Sequence, residues 1–489
     1  MLRISAFRLA LALLAFPVAA QMPTAEFAAR RDAVARNLGD GAFLILGSGE
    51  PSPDFLPYQQ SRPFFYLTGV LESDASLVIV QRGGSRQDLL FVQPKDPAQE
   101  VWTGTRLGVA GARVLGLVGR DASTLRAVLD SLLTAGTPLL VAGDFRGSRG
   151  VQSPHDQFVS ALRVAHPSAQ IADGTGAIAS LRGTKSAPEL DRLRTAAEIS
   201  ARGHLAAMRM TQPGVGEFEL QGLAEYVWRS EGADGPGYSS IVGSGPNSTV
   251  LHYGASTRIA QAGEVIVMDM AAAFDGYTAD ITRTIPVSGT FTPAQREIYE
   301  VVLSAQKAAE RQIRVGGPAQ AMIDSSTAAL QAGLTRLGLI EAAGATYDCG
   351  TAARARQCTQ LSLFYMHGLG HGIGLDVHDP EQYYESGTIG IGSAFTIEPG
   401  LYVREHTLSL IPDTPRNRAL KERITAAVTR HAGTGVRIED DYLVTATGVE
   451  RPSAIVPREL DEVERVMREP RTPRDPAVVQ RYLRFKTGR

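Results

Sequence analysis

Cysteine is scarce in this sequence, and several features that would narrow its function are missing. The 489 residues include only two cysteines, which argues against a structural zinc site. The 49 basic and 51 acidic residues nearly balance to a net charge of -2, so nothing favours nucleic acid as a partner. We find no long-period repeat, no low-complexity tract and no apolar run long enough to span a membrane. What is present, 44% hydrophobic and 20% charged residues, is typical of a packed protein of two or three domains.

The N-terminus has the pattern of a signal peptide. Arg3 and Arg8 precede a short apolar run, Leu9 to Phe16, and small residues at 18–20 lie just before Gln21. A segment that is cleaved on export typically has a basic N-terminal region, an apolar core too short to span a bilayer, and small residues before the cleavage site. We therefore predict a signal peptide at residues 1–20 and a periplasmic or secreted protein. A buried amphipathic helix is the alternative.

Export would place the two cysteines in an oxidising compartment. Cys349 and Cys358 enclose the polar segment Gly350 to Gln357. A disulfide can close so short a loop, and disulfides persist in exported proteins. The signal peptide therefore favours a bond between them, with two reduced thiols in a surface loop as the alternative.

The mature chain divides into two predicted domains and a tail. Residues 21–185 alternate short apolar runs with helical stretches, which predicts an α/β domain with no obvious chemistry. Residues 186–460 begin with a predicted helix, Ala187 to Met210, and mix helices with glycine-punctuated strands in α+β style. Residues 461–489 become basic and favour a solvated tail, with contact to an anionic surface as the alternative. In the first domain we expect strands at Ala42–Leu46, Ser76–Val80, Leu89–Val92 and Leu139–Ala142 and a helix at Ser123–Leu133.

A pair of aspartates is the first chemical feature of the second domain. Asp269 ends a nearly continuous apolar strand, and Asp280 follows on a returning strand. Asp275-Gly276 signals a turn, and a four-residue loop, Ala273–Gly276, would place the two acids directly opposite each other. Cross-strand neighbours lie only about 4.5–5.5 Å apart at Cβ, and half-buried carboxylates that close repel unless a cation binds them. We therefore predict metal ligation, with two solvated turn acids as the alternative.

Histidine and glycine alternate further along the chain. His367, His371 and His378 are three of the nine histidines and fall within twelve residues, with glycines at 368, 370, 372 and 374. The glycines make a helix costly, so the first two histidines do not form a helical zinc motif. Glycine lets the backbone approach a ligand closely, and imidazole binds metals and carries protons. A lone histidine is usually structural, but this segment predicts a metal ligand together with groups that act on substrate.

Two glutamates complete a ligand set. Glu398 and Glu439 each follow a short apolar run, which is a costly place for a charge without a counter-ion. Taken singly, a strand-end acid that faces water is the simpler interpretation of either. Together, four carboxylates and one imidazole suit two divalent ions such as Mn²⁺, with Zn²⁺ or Co²⁺ also compatible.

These segments resemble the superfamily of creatinase, aminopeptidase P and methionine aminopeptidase, and most closely its Xaa-Pro branch of aminopeptidase P and prolidase. The resemblance rests on MDMAAAFDGYTADITRT, HGLGHGIGLDVHD, TIEPGLY and GVRIEDD, in that order, and on Leu251-His252-Tyr253 upstream. In the first domain, PYQQ at 57–60, FFYLTG at 64–69 and WTGTRLG at 102–108 look like an aminopeptidase P N-terminal domain. The resemblance implies a C-terminal pita-bread metallopeptidase domain that cleaves the peptide bond in front of proline.

Carried over motif by motif, the resemblance implies a dinuclear metal centre. Asp280 and Glu439 would bridge the two ions, most readily Mn²⁺, and the ions would activate a water molecule for attack. The implied ligands are Asp269, Asp280, His371, Glu398 and Glu439.

The resemblance also implies catalytic and substrate-binding groups. Glu398 would accept a proton from the attacking water, and His367 and His378 would bind substrate and stabilise the oxyanion. His252 would line the substrate side. Arg437 would orient a carboxylate or support the metal ligands.

One position departs from the family pattern. The family usually has glycine two residues after the first aspartate, and here that residue is Ala271, whose methyl group would narrow the cleft without removing a ligand. Some relatives have lost their ligands and only bind peptides, and creatinase works without metal. The retention of all five ligand types argues against both alternatives.

Substrate length is the remaining question. A dipeptidase must bind the free carboxylate beyond the proline, for which arginine is suited, and residues 379–397 contain no Lys or Arg. This favours an Xaa-Pro aminopeptidase that takes longer peptides. The prolidase alternative rests on the long segment between Glu398 and Glu439, and a non-catalytic binder of proline-rich peptides is a further alternative. By analogy we expect a homo-oligomer. The arginines of the long segment are Arg404, Arg416, Arg418 and Arg423.

Overall fold

The computed structural model describes residues 22–50, 58–145, 151–351, 354–471, 473 and 477–480. The predicted signal peptide, Pro57 of the first-domain motif and residues 481–489 of the predicted tail lie outside the described residues. Residue contacts divide the chain into one unit that ends at Gly174 and one that begins at Thr175. The second unit thus begins before the predicted boundary at residue 185, because the segment from Thr175 onward packs within that unit.

The first unit is built around one mixed sheet of six strands. Its strand order is β4-β3-β2-β1-β5-β6; the β1–β2 and β2–β3 pairs are antiparallel and the others parallel. The apolar run of β1 is buried at every residue, as expected for a central strand. The strands are β1 Gly41–Leu46, β2 Ser76–Arg82, β3 Ser85–Val92, β4 Val118–Asp121, β5 Leu139–Ala142 and β6 Ile171–Asp173. The helices are α1 Thr24–Arg36, α2 Arg62–Thr68, α3 Pro97–Thr103, α4 Gly108–Gly111, α5 Leu125–Thr134 and α6 Pro154–Ala165. All four predicted strands, the predicted helix and the α/β character are confirmed.

Several helices of the second unit begin at residues that cap them. The predicted helix α8 runs from Ala187 to Met210, and the carboxylate of Glu189 accepts a hydrogen bond from the N–H of Ser186 at 3.0 Å. α9 uses the same device, because Glu219 binds the N–H of Gly216 at 2.8 Å. The helices are α7 Thr175–Arg182, α8 Ala187–Met210, α9 Glu217–Ser230, α10 Pro293–Glu310, α11 Gln320–Arg336, α12 Tyr383–Ser386, α13 Pro415–His431 and α14 Leu460–Met467.

The strands of the second unit are short and form several small sheets. The orders are β11-β10-β7, β12-β9-β8, β13-β14, β15-β18-β19 and β16-β17. The strands are β7 Gly235–Pro236, β8 Ile241–Ser244, β9 Val265–Asp269, β10 Ala272–Phe274, β11 Tyr277–Thr278, β12 Thr282–Pro286, β13 Thr346–Asp348, β14 Gln357–Thr359, β15 Ala394–Ile397, β16 Gly400–Val403, β17 Thr434–Arg437, β18 Asp440–Thr445 and β19 Gly448–Glu450. The strand pairs of these sheets are antiparallel, and among the described residues no single large sheet forms, which agrees with the α+β prediction.

The register predicted for the aspartate hairpin is wrong by two residues. Asp269 lies opposite Thr282 rather than Asp280, and Phe274 pairs with Tyr277 across a two-residue turn. The turn is this short because Asp275 and Gly276 both adopt positive φ, 50° and 82°, which is the geometry of a tight type I′ hairpin turn. A shift of two residues keeps a side chain on the same face of a strand, so both acids still reach one site.

A continuous apolar core lies between the helices and sheets of the second unit. Trp228, Ile298 and Val436 belong to it and are fully buried. Val463 and Val466 of α14 join the same core, so the folded unit extends past the predicted boundary at residue 460. None of the helices in the described ranges is long and apolar enough to cross a bilayer.

The predicted disulfide is confirmed. Cys349 and Cys358 are bonded, with their Cα atoms 5.7 Å apart, at the open end of the β13–β14 hairpin loop. Both sulfurs are packed against the main core of the second unit. The hairpin is also tied to α13, because the side chain of Asn417 bonds both the N–H and the carbonyl of Asp348.

Candidate metal centre and substrate cleft

One cavity of about 740 Å³ in the second unit is the candidate functional site. Apolar surface from Ile241, Leu251, Met366 and Val377 lines part of its wall. All nine side chains to which the sequence assigned a role line the same cavity: His252, Asp269, Asp280, His367, His371, His378, Glu398, Arg437 and Glu439.

Buried strands deliver the four acids to this cavity. Asp269 ends β9, Glu398 directly follows β15, and Glu439 lies between β17 and β18. Asp280 lies between β11 and β12, and the hydroxyl of Thr282 at the start of β12 donates to Oε2 of Glu439 at 2.5 Å. Since β9 and β15 are buried along their whole length, these acids emerge from apolar surroundings.

Burial and repulsion raise the pKa values of three of the acids. Burial is the main cause for Asp280, whose pKa lies well above its ordinary range, and Asp269 and Glu398 add to the shift. The pKa of Glu439 is raised in the same direction by burial and then by Asp280 and Glu398. Burial raises the pKa of Glu398 to about 7, although Arg437 opposes the shift. The acids therefore repel one another as long as no cation lies among them.

Tyr238 links the two aspartates. Its hydroxyl oxygen lies 2.7 Å from Oδ1 of Asp269 and 2.5 Å from Oδ1 of Asp280. A phenol carries one proton, so it donates to one carboxylate at a time. Sequence reasoning missed this residue, because nothing in the pattern around Gly237-Tyr238-Ser239 distinguishes it from an ordinary loop.

The orientation of His371 indicates where a cation fits. Its Nδ1 lies 3.1 Å from the carbonyl oxygen of Gly372, so Nδ1 carries the proton and Nε2 keeps its lone pair. Nε2 lies 3.4 Å from Oδ2 of Asp280 and 3.3 Å from Oε1 of Glu398. Burial lowers the pKa of His371 to about 4, so the ring is neutral at pH 7. A lone pair that faces two carboxylates is unfavourable unless a cation lies between them.

The arrangement of donor atoms fits divalent cations. Asp280, His371 and Glu439 each offer a ligand atom within 4.8 Å of the others. Among the residues that the structure describes, Oε1 of Glu439 is a buried oxygen without a hydrogen-bond partner. Leaving such an acceptor unsatisfied costs about 1–3 kcal/mol, which a bound ion would remove. Asp269 differs from the other predicted ligands, because its Oδ2 forms an ion pair with Arg437.

A chain of hydrogen bonds runs from Arg437 to His367. Nη1 of Arg437 donates to the hydroxyl of Tyr402 at 2.9 Å, and that hydroxyl lies 2.8 Å from Nε2 of His367. Nδ1 of His367 donates to the carbonyl of Gly368 at 2.8 Å, so Nε2 accepts from Tyr402. Both nitrogens of His367 are therefore engaged within the protein. Of the two roles predicted for Arg437, this geometry favours support of Asp269. Tyr402 belongs to the TIEPGLY motif, but nothing in the sequence around it indicates this contact.

His378 and His252 present free rings to the cavity. Both are exposed, and in the described part of the chain neither imidazole forms a hydrogen bond. The ring of His378 packs edge-on against that of His371, with centroids 4.2 Å apart. These two histidines are therefore available to a substrate.

Two of the glycines between the histidines allow close packing against other parts of the protein, and the predicted close approach to a ligand stays a prediction. A Cβ atom at Gly370 would lie 2.0 Å from the carbonyl oxygen of Thr396, and one at Gly374 would lie 2.4 Å from Oδ2 of Asp379. Any side chain at these two positions would displace the segment that carries His371 and His378.

A buried carboxylate holds the loop that carries His252. Glu217 is fully buried and accepts five hydrogen bonds from this loop and its flanks. Sequence reasoning missed Glu217, because its donors lie far along the chain and only the fold brings them to it. The donors are Ser244 N (2.7 Å), Ser244 Oγ (2.8 Å), Asn247 Nδ2 (3.2 Å), Tyr253 Oη (2.9 Å) and Arg258 N (2.8 Å).

The expected effect of Ala271 on the cleft is wrong. Ala271 is fully buried and packs with Ala196, Ala197 and Ile281. It does not line the cavity, because its methyl group is directed toward α8 instead.

Comparison with known proteins gives consistent matches to both units. The family described as "Metallopeptidase family M24" matches residues 191–446, and "Aminopeptidase P, N-terminal domain" matches residues 27–136. An Xaa-Pro aminopeptidase of Haemophilus influenzae is 32% identical over 456 residues, which cover 92% of this chain and 98% of the relative. The structure of Escherichia coli aminopeptidase P with the inhibitor Pro-Leu has a TM-score of 0.77 at 30% identity and covers 92% of this chain and 99% of that one. The Zn-substituted Escherichia coli enzyme in complex with product also has a TM-score of 0.77 at 30% identity, over 93% of this chain and all (100%) of that one.

These matches confirm the expected architecture, an aminopeptidase P-type N-terminal domain followed by a pita-bread metallopeptidase domain. Family match, fold and metal-binding chemistry agree: the chain belongs to metallopeptidase family M24 and, within it, to the aminopeptidase P branch.

Proposed function

We propose that this protein is an exported Xaa-Pro aminopeptidase, which uses two divalent cations to remove the first residue from peptides with proline in second position. The observation that carries the proposal is the convergence of four acids and four histidines on one cavity. The name of the Haemophilus influenzae relative supports the same reaction.

The side chains that line the cavity support the interpretation that the substrates are longer peptides rather than dipeptides. Within the described residues Arg437 is the one basic side chain other than histidine that lines the cavity, and it is paired with Asp269. The arginines that a dipeptidase would have used lie elsewhere, so the prolidase alternative loses its support. Their partners are Leu363 O for Arg404 (3.2 Å), Thr346 O for Arg416 (2.8 Å), Asp413 for Arg418 (2.7 Å) and Glu341 for Arg423.

The side chains of the cavity have different roles in the proposed cleavage of the peptide bond. Once bound by the five predicted ligands, divalent cations would polarise the peptide carbonyl and acidify a water molecule. Glu398 accepts the proton of the attacking water, because its carboxylate lies within this ligand set. His378 donates an N–H to the carbonyl oxygen as negative charge develops there, and His252 contacts the substrate. His367 has no nitrogen left for this role, so it and Tyr402 instead fix Arg437 against Asp269.

Three further features belong to the same proposal. Export is supported by the signal-peptide pattern and by the Cys349–Cys358 disulfide, since such bonds persist in oxidising compartments. Mn²⁺ is the first choice of metal because carboxylates dominate the ligand set, with Zn²⁺ or Co²⁺ as alternatives. A homo-oligomer is proposed by analogy with relatives.

The test is to express residues 21–489, load the protein with Mn²⁺ and compare cleavage of an Xaa-Pro dipeptide with that of an Xaa-Pro-Xaa-Xaa peptide. A matched Xaa-Ala-Xaa-Xaa peptide reports the requirement for proline. Asp280→Asn removes a predicted ligand, and Asp461→Asn, at a side chain that is 92% exposed, is the matched control.

Preference for the longer proline peptide, lost in Asp280→Asn and kept in Asp461→Asn, is the expected result. Preference for the dipeptide would make the protein a prolidase. Failure to cleave either peptide while metal is bound would overturn the proposal in favour of a peptide-binding homologue.

A further inference from the structure

The segment 182–185, which the sequence marked only as a domain boundary, is buried in the second unit. Arg182 ends α7 and is 7% exposed, and Lys185 is 3% exposed. The N–H of Lys185 also donates to the carbonyl of Gly392 at 2.8 Å. Two cationic side chains are thus held inside the protein, which is unfavourable unless acids compensate them.

The compensating acids flank His378. Nη2 of Arg182 lies 2.7 Å from Oδ2 of Asp376 and also bonds Oδ1 of Asp379. Nζ of Lys185 lies 3.3 Å from Oδ2 of Asp379. Burial alone would lower the pKa of Arg182, but Asp379 and Asp376 raise it above its ordinary value, so the guanidinium stays charged. The two cations therefore bind the chain on both sides of one histidine.

The same loop is closed by its own backbone. The N–H of Asp379 donates to the carbonyl of Gly372 at 2.8 Å, and that of Gly374 donates to the carbonyl of Asp376 at 3.1 Å. His378 lies at the end of this closed loop. The loop therefore behaves as a unit whose position is set by what its two aspartates bind.

The imidazole of His378 depends on that loop for its direction. Among the described residues nothing forms a hydrogen bond to either of its ring nitrogens, and its ring contact is with His371. Most histidines at catalytic sites are oriented by a partner on the second nitrogen. Here the orientation comes from the backbone, and the backbone is held by Asp376 and Asp379.

We propose that Arg182 and Lys185 are positioning residues that hold Asp376 and Asp379 so that the ring of His378 stays directed into the cleft. Neither cation lines the cavity, so neither touches the substrate. The inference rests on the proposed function, in which His378 donates to the substrate carbonyl. A merely structural ion pair would support the fold equally well without affecting this histidine.

Double-mutant kinetics separates the two roles. Arg182→Met is expected to lower kcat for an Xaa-Pro-Xaa-Xaa peptide about 10- to 100-fold, as for other residues that orient a functional side chain, with a smaller effect on KM. Lys185→Met is expected to act in the same direction, and Arg182→Lys should restore part of the rate. In a His378→Ala background Arg182→Met should have no further effect on kcat, because it acts through His378.

The matched control is Arg31→Met in the first unit. Arg31 is 3% exposed and, like Arg182, binds an aspartate, Asp88, at 3.0 Å. Its loss should lower thermal stability without lowering kcat. If Arg182→Met lowers kcat no more than Arg31→Met, or if its effect multiplies fully with that of His378→Ala, the proposal is overturned.

Hydrogen exchange tests, without reference to activity, whether Arg182 and Lys185 hold the loop through Asp376 and Asp379. In Arg182→Met, amides in the peptide that spans residues 372–380 should exchange faster while α8 and β9 keep wild-type protection. Asp376→Asn is a milder variant that removes one ion pair if Arg182→Met folds poorly, and it should show the same local change. A wild-type protein that cleaves no Xaa-Pro peptide would refute the proposed function but leave this readout intact. Exchange that is unchanged in both variants, or that is equally faster throughout the protein, would overturn the proposal that these two cations hold the loop.

Discussion

The hydroxyl oxygen of Tyr238 lies 2.5 Å from Oδ1 of Asp280. The same oxygen lies 2.7 Å from Oδ1 of Asp269, so one phenol serves two acids that repel each other. Tyr238→Phe removes this donor. With a chelator present we expect the free energy of unfolding in urea to fall by about 1–3 kcal/mol, the cost of leaving a buried acceptor without its partner.

Saturating Mn²⁺ should shrink that loss, because bound cations neutralise the acids directly. Tyr226→Phe is the matched control, since Tyr226 is 70% exposed. Its effect should stay within about 0.5 kcal/mol. A metal-free Tyr238→Phe protein as stable as the wild type would contradict the bridging role.

Substitution of Glu217 should lower the free energy of unfolding more than substitution of an exposed acid does. Glu217→Gln places an amide N–H₂ group among five hydrogen-bond donors inside the protein. We expect a loss of about 2–4 kcal/mol in the free energy of unfolding, measured by urea denaturation. Glu231→Gln, at a carboxylate 40% exposed and paired with Arg202, should cost less than about 0.5 kcal/mol. Equal effects of the two changes would show that the buried cluster contributes little.

Removal of metal should lower stability in a way that depends on the predicted ligands. A chelator is expected to lower the free energy of unfolding, and Mn²⁺ at 100 times its Kd should restore about 2.7 kcal/mol. Asp280→Asn and Glu439→Gln should reduce this increment, and Asp461→Asn should keep it. In the chelator Asp280→Asn should be more stable than the wild type, since it removes one of the repelling acids. A metal increment of wild-type size in both ligand variants would refute the assignment.

His431 should give the fold a dependence on pH at a distance from the metal centre. Its side chain is 1% exposed, and burial lowers its pKa below 6.5, although Glu297 opposes the shift. As the pH falls, the unfolded chain therefore binds this proton at a higher pH than the folded protein does. The contribution of neutral His431 to the free energy of unfolding is present above pH 6.5 and is lost as the pH falls below it.

His431→Gln cannot bind this proton, so the stability difference between wild type and variant should change between pH 7.5 and 5. As the pH falls, the free energy of unfolding of the wild type should decrease relative to that of the variant by at most about 1.4 kcal/mol per pH unit. His406→Gln, at an exposed histidine, should show no such change. Parallel pH profiles for wild type and His431→Gln in urea denaturation would contradict the prediction.

The parts of the site that the sequence predicted correctly are those where chemistry and local pattern coincide. Glu398 and Glu439 could be found because an acid at the end of an apolar strand is costly without a counter-ion. His371 and His378 could be found because glycines between them exclude a helix. Each of these signals is contained within a few neighbouring residues.

The parts that the sequence could not predict depend on contacts between distant segments or on backbone angles. Asp275 adopts a positive φ although it is not glycine, and together with Gly276 it forms the two-residue turn that shifts the hairpin register. Arg182 and Tyr238 meet their partners only after folding, so no local periodicity distinguishes them. The helix α14 was assigned to the tail because its charged residues obscured the apolar face that Val463 and Val466 form.

The two-residue turn at Asp275-Gly276 also constrains how this hairpin can change length during evolution. Strand faces alternate with every residue, so inserting or deleting a single residue in one arm of the hairpin, outside the turn, would send the carboxylate of that arm to the opposite side of the sheet. Changes of two residues would keep both acids on the same side. Natural variation in the length of either arm should therefore occur in even steps, and an odd step in an arm should be accompanied by a bulge that restores the alternation.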